Sequence, residues 1–440
     1  MPGIPRGAVT CARYCAAVRI LHTSDWHFGR SFHGESLLAE QRQVVERLVD
    51  LTSARGIDLV IVAGDLYDRA IPPTDAVQLF DDALVALRAT GASVVAITGN
   101  HDSPSRVAVA DRVLERAGVA VRGGVRRCTD PLRFEPGDGG PPVHVYPVPY
   151  LEPSLAGPDL DLLDAAAGEA DHRDSRRVGH HDVTAQATAL IRRHASAAGP
   201  IRTVVVAHTF VDGGTETDSE RALSIGSIDR VGLSAFDGFY YVALGHLHAD
   251  QSFDNGRIAY SGSPLPYSFS EEGSTKSVRI VEMDAAGRCS TEVLPLGVGR
   301  PLRTLTGRID VLLTNSEYKD AMEARVRVWL TDEELPVDAM SRLQRRFPHA
   351  VTLEHRPEGR QAPGGTDVAA AVKAAEHPLE LALRFWNDQH GADATGPQRD
   401  VLEAAVGAAR LDERESLAPT SAQHVLARAT GAAAISEGVG

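Results

Sequence analysis

Cysteine, long apolar runs and aromatic residues are all scarce in this sequence of 440 residues. The four cysteines, at positions 11, 15, 128 and 289, are too few and too scattered for a disulfide framework. No apolar run approaches the roughly 18 residues that a membrane span needs. Residues 1–17 lack the continuous apolar stretch of a signal peptide and are expected to be a disordered extension. These absences predict a protein of the reducing cytoplasm that has no association with membranes.

An excess of basic charge is also missing. Lys and Arg number 45 against 59 Asp and Glu, which gives a formal net charge of −14. Composition alone therefore lowers the expectation of an extended nucleic-acid surface. It leaves open a local basic groove, and it also leaves open a partner that supplies most of the phosphate contacts.

What is abundant is apolar sequence in a regular arrangement. Apolar residues make up 43% of the chain, and apolar strands alternate with helical spacing from Val18 onward. The predicted helices cover residues 41–55 and 75–88. Strands are predicted at residues 18–22, 57–63, 93–98, 202–207, 239–244, 257–261, 277–282 and 290–295. Near-continuous apolar strands imply sheets that are covered on both faces, so the pattern predicts an α/β fold, a mixed-sheet β-sandwich flanked by helices.

The remaining segments are more polar. Residues 161–198 are predicted to form helices and loops, with the histidines at 172, 180, 181 and 194 on a solvated surface. Residues 301–357 contain a β-α-β pattern and are expected to form a small separate α+β domain. Residues 358–366 are predicted to be a linker because of their Pro and Gly content, and residues 413–440 a weakly ordered tail. Between them, residues 367–412 contain two amphipathic helices whose apolar stripes comprise Leu379, Leu383, Trp386, Val401 and Leu402.

Oxygen- and imidazole-bearing side chains cluster at the carboxyl ends of five predicted strands, which is where sites assemble in α/β sheets. Two metal ions with four protein ligands each, sharing one bridging carboxylate, require seven ligands. The seven candidates are Asp25, His27, Asp65, Asn100, His208, His246 and His248. Taken singly, each cluster is more often a turn, a helix cap or a packed histidine. Together, and without thiolates, they favour Mn²⁺, Fe or Zn²⁺ in a catalytic site over a structural zinc site.

Such a pair of cations has a defined chemistry. A bridging carboxylate lets them sit about 3.5–4 Å apart, where they stabilise both the attacking and the leaving oxygen of a phosphate displacement. Water at their open positions is deprotonated near neutral pH.

The motifs also resemble a known signature. Asp-x-His, Gly-Asp-x-x-Asp, Gly-Asn-His-Asp, a lone His and Gly-His-x-His occur in this order and are similar to those of the calcineurin-like metallophosphoesterases. The resemblance implies that Asp25, His27, Asp65 and His248 hold one metal and that Asp65, Asn100, His208 and His246 hold the other. It also implies that His101 is a catalytic histidine outside both ligand sets, which positions the phosphate or protonates the leaving oxygen. Asp102 or Asp68 is the expected carboxylate partner of His101.

Longer runs resemble the bacterial SbcD family of nuclease subunits, over residues 18 to about 355. These runs are ILHTSDWHFGR from residue 20, GDLYDR from residue 64, ALGHLH from residue 243 and YSGSPLPYSFSE from residue 260. Asp68 stands where archaeal and eukaryotic relatives have a second catalytic histidine, so Asp68 is a second candidate catalytic residue.

The SbcD resemblance further implies a nuclease domain at residues 18–300, a DNA-orienting capping domain at 301–357, and helices at 367–412 that dock on an SbcC-type ATPase. It implies two divalent metal ions, with Mn²⁺ preferred. The expected activity is that of a double-strand 3′-to-5′ exonuclease and single-strand endonuclease in DNA replication, repair and recombination. The expected assembly is a homodimer within a heterotetramer.

No GxxxxGK[ST] motif is present, so ATP binding is expected to come from the partner. Arg342, Arg345 and Arg346 are candidate phosphate contacts, with a solvated helix face as the alternative.

Two other functions fit parts of this pattern. A phosphodiesterase acting on small nucleotides, or a phosphoprotein phosphatase, would keep the metal ligands but would not need residues 301–440. A non-catalytic scaffold with a degenerate metal site is disfavoured because all seven ligand positions are intact.

Overall fold

A computed structural model of the chain describes residues 17–136, 140–166, 179–220 and 230–357, together with residues 379, 382–384, 386–387, 393–399 and 401–403. The predicted linker and tail lie outside the described residues, as does the N-terminal extension up to residue 16. The chain divides into two compact units. One comprises residues 1–330 and 336–354, and the other comprises residues 331–335 and 355–440.

The first unit is built around two six-stranded mixed sheets. In spatial order the first sheet contains Cys289–Pro295, Ser277–Met283, Val18–Thr23, Leu59–Ala63, Ser93–Ile97 and Val119–Arg122. The second contains Gln251–Phe253, Ile258–Tyr260, Tyr241–Gly245, Arg202–His208, Val143–Val148 and Leu132–Phe134. The central strands of each sheet run parallel. Antiparallel pairs lie at both edges of the second sheet but at one edge of the first, whose other edge strand, Val119–Arg122, pairs in parallel.

Three apolar clusters hold these layers together. Ile20, Ile61, Val206 and Ala243 belong to the cluster between the two sheets. The outer face of the first sheet packs against the helices Leu38–Ala54 and Thr74–Ala89, and that of the second sheet against Pro153–Ala166 and His180–Ala197. The α/β sandwich predicted from the alternating pattern is thereby confirmed. Among the described residues, no helix has the length and apolarity required to cross a membrane.

Residues 302–355 form a smaller sheet with its own apolar cluster. Its strands are Leu302–Gly307, Arg325–Leu330 and Ala350–His355, and its helices are Ile309–Thr314 and Ala339–Arg346. The strand Leu302–Gly307, which pairs in parallel with Arg325–Leu330, extends the predicted β-α-β unit. This strand has a weak signal in the sequence, because its buried residues Leu302 and Leu305 are three positions apart rather than two.

Candidate metal centre

The seven predicted ligands all lie at the carboxyl ends of strands from the two large sheets. Asp25, His27, Asp65 and Asn100 follow strands of the first sheet, and His208, His246 and His248 end or follow strands of the second. Six of these side chains belong to residues that are no more than 3% exposed, the exception being the partly exposed Asn100. The carboxyl ends of both parallel strand sets therefore meet at one buried location.

The backbone at four ligand positions is strained. Asp25, His27, Asp65 and His246 have φ angles of 53°, 46°, 48° and 112°, a region that residues with a Cβ rarely adopt. Main-chain hydrogen bonds hold two of these turns, from Asp25 N to Gly64 O at 3.0 Å and from His27 N to Asp65 O at 2.9 Å. Strain of this kind persists only where the surroundings enforce it, and it is concentrated at functional sites.

Glycine allows the two sheets to approach each other here. A Cβ at Gly64 would lie 2.1 Å from His208 Nδ1, and a Cβ at Gly245 would lie 1.8 Å from the carbonyl oxygen of Ala63. Only a residue without a side chain fits at either position, which explains the glycine in the Gly-Asp and Gly-His motifs.

The first group of ligands consists of Asp25, His27 and His248, whose ligating atoms all lie within 4.8 Å of one another. The two Nε2 atoms of the histidines are 3.2 Å apart. Burial lowers the pKa of both imidazoles well below its usual value. His27 Nδ1 is buried without a hydrogen-bond partner in the described part of the chain. Neutral ring nitrogens that converge beside a carboxylate are suited to binding a cation.

The second group centres on His208. Its Nδ1 lies 2.9 Å from the carbonyl oxygen of Ala63, which can only accept, so Nδ1 carries the proton. Nε2 therefore presents a lone pair, and it faces the amide oxygen of Asn100 at 2.9 Å. Burial lowers the pKa of His208, so the ring stays neutral. Two lone pairs at this distance favour a cation bound between them.

Asp65 lies between the two groups. Its Oδ2 is 3.5 Å from His27 Nε2 and 3.6 Å from His208 Nε2. Burial, and then the charge of Asp65, raises the pKa of Asp25 well above its usual value. Two buried carboxylates surrounded by neutral imidazoles lack positive charge, which two divalent cations would supply. The donor set fits such ions.

His246 is less central than expected. Its amide donates to Asp25 Oδ1 at 3.0 Å, and its ring centroid is 5.5 Å from that of His208. It lies beside the second group but outside the close clusters of ligating atoms.

The contacts of His101 differ from those predicted. Its Nδ1 lies 2.8 Å from the main-chain carbonyl oxygen of Asp68, and its amide donates to Asp65 Oδ1 at 3.0 Å. The predicted carboxylate partner is Asp102 or Asp68, but His101 contacts Asp68 through its main-chain oxygen and hydrogen-bonds to neither carboxylate. The carboxylate of Asp102 instead accepts hydrogen bonds from the amides of Leu66, Tyr67 and Gly99. Burial, and then the charge of Asp65, raises the pKa of Asp102 to about 7.

The carboxylate of Asp68 is shared between neighbours. Arg30 donates to its Oδ1 at 3.0 Å, and the same oxygen lies 3.8 Å from His27 Nδ1. Ligating atoms of His27, Asp68 and His101 lie within 4.8 Å of one another. Both predicted catalytic residues therefore border the first ligand group.

One histidine near the site lies in a different environment from the one predicted. His180 is not on a solvated surface but is 5% exposed, with its ring tilted against that of Tyr150 at 5.6 Å. It lines a small cavity together with His208. The sequence contains a signal for this burial, because Val183, Ala187 and Ile191 place His180 on the apolar face of its helix.

The candidate DNA contacts are unequal. Arg342 forms an ion pair with Asp310 at 3.3 Å, and Arg346 donates to the carbonyl oxygen of Asn315. Arg345 is exposed.

The candidate partner contacts lie in the second unit. Leu379, Leu383 and Trp386 are helical and partly exposed, Val401 is 68% exposed, and Leu402 is partly exposed.

Comparisons with known proteins identify the family of this chain. The family model for calcineurin-like phosphoesterases matches residues 18–250. The SbcD subunit of the SbcCD nuclease from Bacillus subtilis is 33% identical over 341 residues, covering 75% of this chain and 84% of the relative. The protein of the same name from Staphylococcus epidermidis is 26% identical over 353 residues, covering 77% and 85%. A dimetal phosphatase from Danio rerio aligns with 64% of this chain and 97% of its own, at 12% identity and a TM-score of 0.38.

Proposed function

Because this chain belongs to the SbcD family of calcineurin-like phosphoesterases, we propose that it is a two-metal nuclease that processes DNA ends together with an SbcC-type ATPase. The chain is a phosphodiester hydrolase. The observation that carries the two-metal proposal is the position of Asp65, with Oδ2 3.5 Å and 3.6 Å from ring nitrogens of the two ligand groups.

The proposed ligand sets share Asp65. Asp25, His27 and His248 would complete one, and Asn100, His208 and His246 the other. Bound there, two divalent cations would supply an activated water and would stabilise the charge that develops on the phosphate. We propose Mn²⁺ as the physiological ion, since carboxylate, imidazole and amide oxygen all suit it.

His101 and Asp68 have separate proposed roles. The Nδ1 of His101 donates to the carbonyl oxygen of Asp68, and its Nε2 lies 4.0 Å from Asp65 Oδ2. With both ring nitrogens protonated, His101 would hold the phosphate through Nε2 or pass the Nε2 proton to the leaving oxygen. The Asp68 carboxylate, beside Arg30 and His27, would hold the edge of the site in place.

The proposal also covers the DNA substrate, the assembly and the partner. We propose double-strand 3′-to-5′ exonuclease and single-strand endonuclease activity in the cytoplasm, from a nuclease homodimer within a heterotetramer. A chain with a net charge of −14 benefits from a partner that neutralises phosphates, because affinity for DNA rises with each phosphate neutralised by Lys or Arg. Arg345, which is exposed, is the preferred contact of the three candidate arginines.

The experiment that tests the proposal compares two Asp→Ala variants. Asp65→Ala should abolish Mn²⁺-dependent hydrolysis of labelled duplex DNA and of bis-p-nitrophenyl phosphate, and it should reduce the bound metal. Asp254→Ala is the matched control, because Asp254 also has a positive φ of 48° but lies on the surface beside Arg257. Full hydrolysis by metal-stripped Asp65→Ala would overturn the proposal. Hydrolysis of cyclic or linear small nucleotides with no cleavage of DNA would favour the small-nucleotide phosphodiesterase instead.

A further inference from the structure

A hydrogen-bonded network of buried polar groups extends from the predicted ligand His248 away from the site. His248 Nδ1 lies 2.6 Å from the hydroxyl of Ser219, and that hydroxyl lies 2.9 Å from Oε1 of Glu271. All three residues are buried. Burying a polar group raises the free energy of the folded state unless the group has a hydrogen-bond partner. A buried network of this kind therefore points to a specific role for the groups that contact His248.

The direction of the protons follows from the partners. The single hydroxyl proton of Ser219 faces two acceptors, the carboxylate oxygen Oε1 of Glu271 at 2.9 Å and Oγ1 of Thr217 at 2.8 Å, whose own proton goes to Glu220 Oε2. Ser219 Oγ then accepts from His248, which places the ring proton on Nδ1. His248 Nε2 is left as a lone pair, and it is the atom that lies 3.2 Å from His27 Nε2.

Glu271 is itself held through both of its carboxylate oxygens. Its Oε1 also accepts from the amides of Tyr267 at 2.8 Å and Ser268 at 2.9 Å, and its Oε2 forms an ion pair with Lys276. The ammonium of Lys276 donates in turn to the carbonyl oxygen of His248 at 2.9 Å. The network therefore begins at the ring of His248 and returns to its main chain.

The segment that carries Ser219 holds His248 at a third point. Glu220 Oε1 accepts from the amide of His248 at 2.7 Å, and Glu220 Oε2 accepts from the hydroxyl of Thr217 at 2.6 Å. The ring, amide and carbonyl of this one ligand are all fixed by residues outside the ligand set.

We propose that Ser219 and Glu271 are positioning residues that hold the imidazole of His248 with Nε2 directed at the metal. This inference rests on the proposed function, since it needs a metal at His248. Hydrogen bonds behind a ligand histidine set its tautomer and ring orientation, and losing them typically weakens metal binding by about 10–100-fold.

The experiment measures Mn²⁺ binding by isothermal titration calorimetry and by electron paramagnetic resonance of the spin-coupled metal pair. Ser219→Ala should weaken one of the two Mn²⁺ equivalents by about 10–100-fold and replace the coupled spectrum by that of an isolated ion. Ser219→Thr keeps the hydroxyl and should restore both. Ser274→Ala is the matched control. Ser274 donates to the main-chain oxygen of Glu271 at 2.7 Å, so it belongs to the same loop but not to the hydrogen-bonded network behind His248.

Thermal unfolding in a chelator separates positioning from general loosening. Ser219→Ala should melt close to the wild-type temperature without metal and should show a smaller rise when Mn²⁺ is added. If Ser219→Ala binds both ions with wild-type affinity, or if Ser274→Ala loses as much affinity, the inference is wrong while the proposed function stands. A wild-type protein that binds no Mn²⁺ would overturn both.

Discussion

At the scale of single residues, the proposed catalytic role of His101 can be tested by substitution. It is anchored through the main chain of Asp68 and the carboxylate of Asp65 and is not needed to complete either ligand set. We expect His101→Gln to keep both Mn²⁺ equivalents and DNA binding while turnover falls by about 10²–10⁴, the usual contribution of a positioned acid or base. Metal content by atomic absorption and single-turnover cleavage of duplex DNA check this. Loss of one metal equivalent would instead make His101 a ligand.

A second residue-scale prediction concerns His22, which is buried between Tyr241 and the carbonyl oxygen of Leu244. Burial lowers the pKa of His22 to about 3, whereas in the unfolded chain it takes up a proton below about 6.5. The free energy of unfolding should therefore fall as the pH drops from 6.5 towards 3, by about 1.4 kcal/mol per pH unit from this residue.

His22→Gln tests this contribution, because its amide can make both hydrogen bonds without titrating. In urea unfolding of the metal-free protein between pH 4 and 8, the variant should have a shallower pH dependence, by about one proton. Identical slopes for variant and wild type would show that His22 does not contribute.

Some residues of the site are easier to predict from the sequence than others. The ligands are predictable because carboxylates and imidazoles directly after apolar strands form a pattern that can be seen in one dimension. Ser219 and Glu271 leave no such pattern, since they meet His248 only after folding. The use of Asp102 to bind three amides is likewise invisible in the sequence.

At the scale of elements, a strand whose residues are apolar throughout is the easiest to recognise in the sequence. Leu59–Ala63 is apolar at every position and is predicted by that pattern, whereas Val143–Val148 is equally buried but includes His144, Tyr146 and Pro147. Because of its polar residues and its proline, the sequence pattern does not predict this interior strand of the second sheet. Tertiary pairing with Arg202–His208, rather than local preference, places it in the sheet.

One element-scale contact joins the small sheet to the nuclease core. Arg325, at the start of its strand, makes a two-pronged contact with Glu40 at 3.0 Å and 2.6 Å and a third with Glu35 at 3.3 Å. Its side chain is 6% exposed. We expect Arg325→Ala to lower the free energy of unfolding by about 3–5 kcal/mol, because it leaves a largely buried carboxylate unpaired.

Arg303→Ala is the comparison for that variant. Arg303 lies on the neighbouring strand and pairs with Asp320, but both side chains are substantially exposed, so the cost should be about 0–1 kcal/mol. Guanidinium unfolding of the two variants side by side checks the difference. Equal costs would mean that burial of the Arg325 contact contributes nothing.

At the scale of the whole molecule, the prediction concerns assembly. The helical stripe with Leu379, Leu383 and Trp386 is the proposed docking element for the ATPase, by the mode in which an amphipathic helix binds a groove. A chain truncated after Pro363 should hydrolyse bis-p-nitrophenyl phosphate as the full chain does. It should lose both complex formation and ATP-stimulated degradation of duplex DNA. Co-purification of the truncated chain with the ATPase at full stoichiometry would place the docking site elsewhere.

The left-handed turns at Asp25, His27, Asp65 and His246 have an evolutionary consequence. At each position a glycine would relieve backbone strain of about 1–3 kcal/mol, and at Asp25 and Asp65 it would also remove a buried carboxyl group. Folding and catalysis thus select for different residues at the same four positions. Mutations at these turns would be selected against less strongly than changes in the surrounding core if the reaction were no longer needed. The same would hold in a laboratory screen for yield and heat resistance alone. Inactive descendants that keep an intact sandwich are the expected product of such a history.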